Sequence, residues 1–101
     1  MPPMASRTAF EYTVRTRQKT DETYLIRTEQ APGHWIATVI RPDGTTWNSN
    51  WFDPKAPSIP KQWVGGTEAA AADFAERVLT NFFANEGMEV VRRACLLDPG
   101  A

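Results

Sequence analysis

The run Arg41-Pro42-Asp43-Gly44-Thr45 restricts this chain more than any other stretch of it. Proline presets φ for the second position of a turn. Aspartate bonds the main chain two residues on, and glycine tolerates a positive φ. That order suits a type I turn closed by a glycine bulge, which joins two antiparallel strands through Pro42, Asp43 and Gly44. The flanks agree, and the reading places strands at about 34–41 and 45–52.

Upstream, Phe10, Tyr12 and Val14 alternate with polar residues, the period of a strand with one buried face, at about 10–17. A polar loop over 18–22 leads to a second strand at 23–29, carrying Tyr24, Leu25 and Ile26. Ala31-Pro32-Gly33-His34 reads as a tight turn into the third strand. Residues 1–8, with Pro2 and Pro3, read as a disordered tail. Residues 9–97 are expected to form a single α+β domain, a size that 101 residues can fill with one core.

Downstream, Pro54, Pro57 and Pro60 forbid a helix or a central strand, so 53–66 is expected to be a long loop. Thr67 is a suitable N-cap, Ala69 to Ala72 are strong helix formers, and Gly87 suits a left-handed cap, which delimits a helix at 67–86. Its apolar stripe runs through Ala71, Phe74, Ala75, Val78 and Phe82, flanked by Leu79 and Phe83. Residues 88–97 combine Val90-Val91, which favour a strand, with Arg92-Arg93-Ala94, which tolerate a helix; they read as a fifth, edge strand. The expected architecture is a four-stranded antiparallel meander backed on one face by this helix.

The turns set which residues oppose one another. Val14 is expected opposite Ile26, Ala31 opposite His34, and Arg41 opposite Thr45. The last pairing brings Ala37 opposite Ser49 and Trp35 opposite Trp51. These registers agree on one inner face: Phe10, Tyr12, Val14, Tyr24, Ile26, Trp35, Val39, Trp47 and Trp51, with Thr28, Ala37 and Ser49 across its middle, where a helix start could come close. The outer face then carries Leu25, Ile36 and Ile40 rimmed by Arg15, Arg17 and Arg27. Either the C-terminal segment or the proline loop could cover that apolar patch. Trp63, in the loop, is read either as a plug for the open end of the sheet or as an exposed anchor for a partner.

The chain carries little that points to catalysis. The single histidine, His34, and single cysteine, Cys95, cannot build a zinc site or an internal disulfide, and Cys95 reads as a small buried side chain. There is no GxSxG, HExxH, CxxC or phosphate-binding loop, and the turn and helix explain Asp43, Glu68 and Asp73. No enzyme activity, cofactor or metal is expected. The net charge of −1 does not suggest a phosphate partner, although residues 7–41 hold six basic and four acidic side chains. No apolar run suits a signal peptide or a membrane span. With no cysteine pair, the expected location is cytoplasmic.

Gly33-His34-Trp35, Arg41-Pro42-Asp43-Gly44, and Gly66-Thr67 with its alanine-rich helix resemble the plan of AP2-type and integrase arm-binding domains over about 33–83. The resemblance implies three strands, a following helix and a sheet that contacts DNA; the proline-bearing stretch 53–65 is longer than that plan has. Two functions are therefore expected. The first is a small protein-binding module of inhibitor, immunity, anti-defence or adaptor type, or a self-associating one, using Leu25, Ile36, Ile40, Arg15, Arg17, Arg27 and Trp63. The second is nucleic-acid binding through the basic part of the same face.

Overall fold

The computed structural model describes residues 6–47 and 62–96. In chain order the elements are β1 (Ser6–Arg15), β2 (Asp21–Ala31), β3 (His34–Ile40), β4 (Gln62–Gly65), α1 (Glu68–Asn85) and β5 (Glu89–Cys95). The strands make one open antiparallel sheet in the order β4-β3-β2-β1-β5, and α1 packs against one face of it, an α+β fold. The expected fifth strand is present and sits at the β1 edge, so it does not cover the outer face.

Two hairpins share one loop geometry. Between β3 and the residues after it, Arg41 N–H donates to Thr45 O, Gly44 N–H donates to Arg41 O, and Gly44 has φ +87°. Between β1 and β2, Thr16 N–H donates to Thr20 O and Lys19 N–H donates to Thr16 O, with Lys19 at φ 62°. A lysine thus occupies the position that glycine fills in the other loop, which hides the turn from a search for glycine. The β1–β2 register differs accordingly: Val14 faces Glu22 and Phe10 faces Ile26, instead of Val14 facing Ile26. The shift is an even number of residues, so the inner face keeps its members.

A bulge at Ala9 breaks the alternation, so that both Ala9 and Phe10 are buried. It also turns Arg7 toward the helix. Ser6, Arg7 and Thr8, expected in the tail, are the first residues of β1 and pair with Glu29, Thr28 and Arg27.

The β2–β3 register is the expected one, with Ala31 opposite His34 and Thr28 opposite Ala37. Beyond the Pro-Asp-Gly loop, Thr46 bridges Ile40 and Trp47 N–H donates to Val39 O, which sets Trp47 opposite Val39 as expected. The remainder of the expected strand 45–52, from residue 48 on, lies outside the described residues. The described partner of β3 on this side is β4: Ala37 faces Trp63, where Ser49 is expected, and Trp35 faces Gly65, where Trp51 is expected. The reason is packing. Trp63 fits over the small Ala37 and meets Trp47 edge to face at 6.3 Å, and residues 62–65 lie past the last proline with N–H groups to donate. Residues 48–61, including Ser49, Trp51 and most of the proline-bearing loop, lie outside the described residues.

The helix begins and ends where its caps require. Thr67 Oγ1 accepts from Ala70 N–H at 3.1 Å. At the other end Met88 N–H donates to Phe83 O and Gly87 N–H to Ala84 O, with Gly87 at φ 68°, a Schellman cap. The buried residues are Ala71, Ala72, Ala75, Leu79 and Phe83, so the stripe is rotated from the expected one and Phe74 stands 51 % exposed. Close approach at the start of the helix explains the rotation. Thr28 and Ala37, both fully buried, leave room for Ala71 and Ala72, and Gly65 lies directly beneath Ala71. Aromatic contacts of Phe83 with Tyr12 and Tyr24, and of Phe82 with Trp47, close the other end of the core.

Two carboxylates of α1 fasten it to the sheet. Glu68 accepts from Arg7 Nε at 2.9 Å and from Thr28 Oγ1 at 2.7 Å. Glu76 accepts from Arg93 Nε at 2.6 Å and from the Tyr12 hydroxyl. The sequence pattern puts Glu76 on the solvent side of the helix; the rotation brings it over β1 and β5.

Candidate functional site

The face of the sheet opposite α1 has no described element packed on it. Alternation against the buried residues assigns its members: Glu11, Thr13 and Arg15 from β1; Leu25, Arg27 and Glu29 from β2; Ile36, Thr38 and Ile40 from β3; Gln62 and Val64 from β4. The apolar side chains form two direct cross-strand pairs, Leu25 with Ile40 and Ile36 with Val64, separated along β3 by Thr38. Val64 is 54 % exposed, and Leu25, Ile36 and Ile40 are half-buried. An open depression crosses the same face, lined by Ser6, Arg27, Glu29, Thr38, Ile40 and Gln62.

The structure redistributes the expected site residues. Leu25, Ile36, Ile40, Arg15 and Arg27 share the outer face. Arg17 does not: β1 ends at Arg15, and the Arg17 guanidinium lies against Gly87 at the C-terminal end of α1, where the helix dipole favours a cation. Trp63 is neither in a loop nor exposed. It points at the helix from β4 and is 3 % exposed, so it is a core residue and supplies no anchor on the surface. Its neighbour Val64 takes the outward position and joins the patch. The signal for Val64 is the short alternation Gln62-Trp63-Val64-Gly65, masked by the prolines just before it.

Charges on this face are mixed. Arg15 pairs with Asp21, Nε to Oδ1 at 3.0 Å, and this hydrogen bond holds its pKa above the ordinary value. Arg27 donates to Ser6 Oγ at 3.2 Å. Glu11, Glu29 and, across the ladder from Arg15, Glu89 interleave with these arginines. An ion pair between half-exposed groups contributes little stability, so the pairing mainly neutralises the face.

Several titratable groups elsewhere have structural partners. The Arg7 hydrogen bond holds the Glu68 carboxyl below its ordinary range, and the bond from Thr28 adds to it. Burial, followed by the bond to Glu76, pushes the Tyr12 phenol up to about 12. His34 Nδ1 lies 3.0 Å from Pro32 O, within its own turn. Cys95, which reads as buried in the sequence, is exposed at the end of the edge strand. Among the described residues, no group of three or more His, Cys, Asp or Glu side chains is placed to hold a metal ion. No helix there is long and apolar enough to cross a membrane.

No family model, curated protein or solved structure matches this chain.

Proposed function

We propose that this chain is a small non-catalytic binding module that recognises another protein through its outer sheet face. The observation that carries the reading is the apolar centre of Leu25, Ile36, Ile40 and Val64 on a sheet face with no described cover. Aliphatic side chains ringed by arginines and carboxylates are the composition of an interface core and its rim. The interleaved charges favour a protein over a nucleic acid: Asp21, Glu11 and Glu29 stand among Arg15 and Arg27, where a phosphate backbone asks for uncompensated cations. The role fits an inhibitor, immunity, anti-defence or adaptor protein, acting in the cytoplasm, where a lone cysteine stays reduced.

The test compares capture of partners from nuclease-treated lysate by wild type, by Ile36→Asp, and by Ile36→Thr with Val64→Thr. The threonines keep strand propensity while removing the apolar surface. A protein held by wild type and lost by both variants, whose melting curves match wild type, supports the module. If Ile36→Asp unfolds the domain while the threonine variant still binds, the patch serves the fold and the proposal fails. Recovery of nucleic acid alone, lost in Arg15→Ala/Arg27→Ala and weakened steeply by salt, also overturns it.

A further inference from the structure

β5 is the least buried strand of the sheet. Of Glu89–Cys95 only Ala94 is even half-buried, whereas its partner β1 buries Phe10, Tyr12 and Val14. Large apolar side chains left in water collect here: Val90 at 42 %, Val91 at 47 % and, just after the strand, Leu96 at 49 % exposure. Among the described residues the strand is held by its main-chain ladder to β1, broken by a bulge where Thr13↔Arg92 gives way to Val14↔Val90, by a solvent-exposed charge attraction between Glu89 and Arg15, and by one side chain that hydrogen-bonds to the core side of the sheet and to the helix. That side chain is Arg93. It donates to Glu76 at 2.6 and 3.1 Å and to Tyr12 Oη at 3.2 Å, and stacks on the Phe10 ring at 4.7 Å. A short tether, Glu86-Gly87-Met88, joins the strand to α1.

Burial of apolar surface is what resists opening, and segments with few buried contacts open at free energies below the global one. β5 supplies a ladder and a catch and almost no core. We infer that β5 is an exchangeable strand: it releases from β1 while the rest of the domain stays folded, and the vacated edge, Phe10 to Arg15, accepts β5 of a second copy. The occupant follows from the fit already present. β5 carries the register for this edge and the arginine that reaches Glu76 and Tyr12, so the strand of a second copy makes the same contacts and only the tether changes course.

The experiment uses the full chain carrying Glu11→Cys and Ala94→Cys, residues paired across the β1–β5 ladder, in a Cys95→Ser background. Within one chain these cysteines give a cross-linked monomer; after exchange they link two chains. The expected result, after oxidation of an isotopically mixed sample, is an interchain 11–94 link whose fraction rises with protein concentration. Adding Glu76→Gln, which loosens the catch, should raise it further. Only intrachain links at every concentration, or no more dimer than Ala94→Cys/Cys95→Ser gives, overturns the proposal.

Hydrogen exchange on the chain without added cysteines checks the release directly. Amides of β5 should exchange about tenfold or more faster than those of β2 and β3, and Glu76→Gln should accelerate β5 selectively. Exchange of the three strands as one unit overturns it.

Discussion

Gly65 of β4 lies beneath Ala71 of α1 so closely that a Cβ on the glycine would fall 2.6 Å from the Ala71 main-chain nitrogen. The obstacle is helix backbone, which cannot rotate aside like a side chain. This contact sets the height of the helix start over β3 and β4, and with it the stripe that α1 buries.

Gly65→Ala should therefore force α1 away from the sheet and destabilise the domain by about 1–3 kcal/mol, the usual cost of overpacking. Gly66→Ala, where an added Cβ meets nothing within 4 Å, is the control. Urea unfolding of the two variants should separate them; equal midpoints would refute the close approach.

Trp63→Ala should cost about 3–5 kcal/mol as a core truncation, a large part of the roughly 5–15 kcal/mol by which a domain is stable. Trp63→Phe should lose less. Unchanged thermal stability in Trp63→Ala would mean that this side chain is not packed between Trp47 and the helix.

Lys19 holds a left-handed backbone, at a cost that glycine avoids. Lys19→Gly should stabilise the β1–β2 hairpin by up to about 1 kcal/mol, and Gly44→Lys in the matching loop should destabilise by a similar amount. Opposite shifts in the unfolding midpoint are the expected readout.

The helix caps should respond unequally. Thr67→Ala removes the acceptor for Ala70 N–H and should cost about 1 kcal/mol. Gly87→Ala should cost more than Gly66→Ala, because it strains a positive φ and also pushes on the Arg17 guanidinium. Differential scanning calorimetry resolves both.

Stability should fall at both ends of the pH scale for separate reasons. Glu68 has a folded pKa below its ordinary 4.5, so its contribution is complete above 4.5 and is lost as pH drops through the lowered value. Tyr12 has a folded pKa raised from 10.0 to about 12, so its contribution is complete below 10.0 and is lost as pH rises toward 12. Glu68→Gln should flatten the acid limb of melting temperature against pH, and Tyr12→Phe the alkaline limb. Ultraviolet absorbance should show the phenol titration near 12 lost in Tyr12→Phe, while that of Tyr24, which burial also raises, remains.

Local chemistry makes much of this fold legible. The caps at Thr67 and Gly87, the Pro42-Asp43-Gly44 loop and the β2–β3 register each depend on residues within a few positions of one another, so the chain carries them without help from the rest of the domain. Face membership is equally readable, because alternation survives an even slip of register, and that is why periodicity alone assigns Leu25, Ile36 and Ile40 to the outer face. Tertiary structure decides what depends on distant partners. Which segment lies beside β3 is settled by Trp63 packing over Ala37 and against Trp47, and that choice buries Trp63 and exposes Val64. The bulge at Ala9 and the rotation of α1 over Gly65 aim Arg7 and Glu76 at partners 61 and 17 positions away. A periodicity places a side chain on a face of its own element. The neighbour across that face is set by how two elements fit, a competition among long-range contacts that no local pattern encodes.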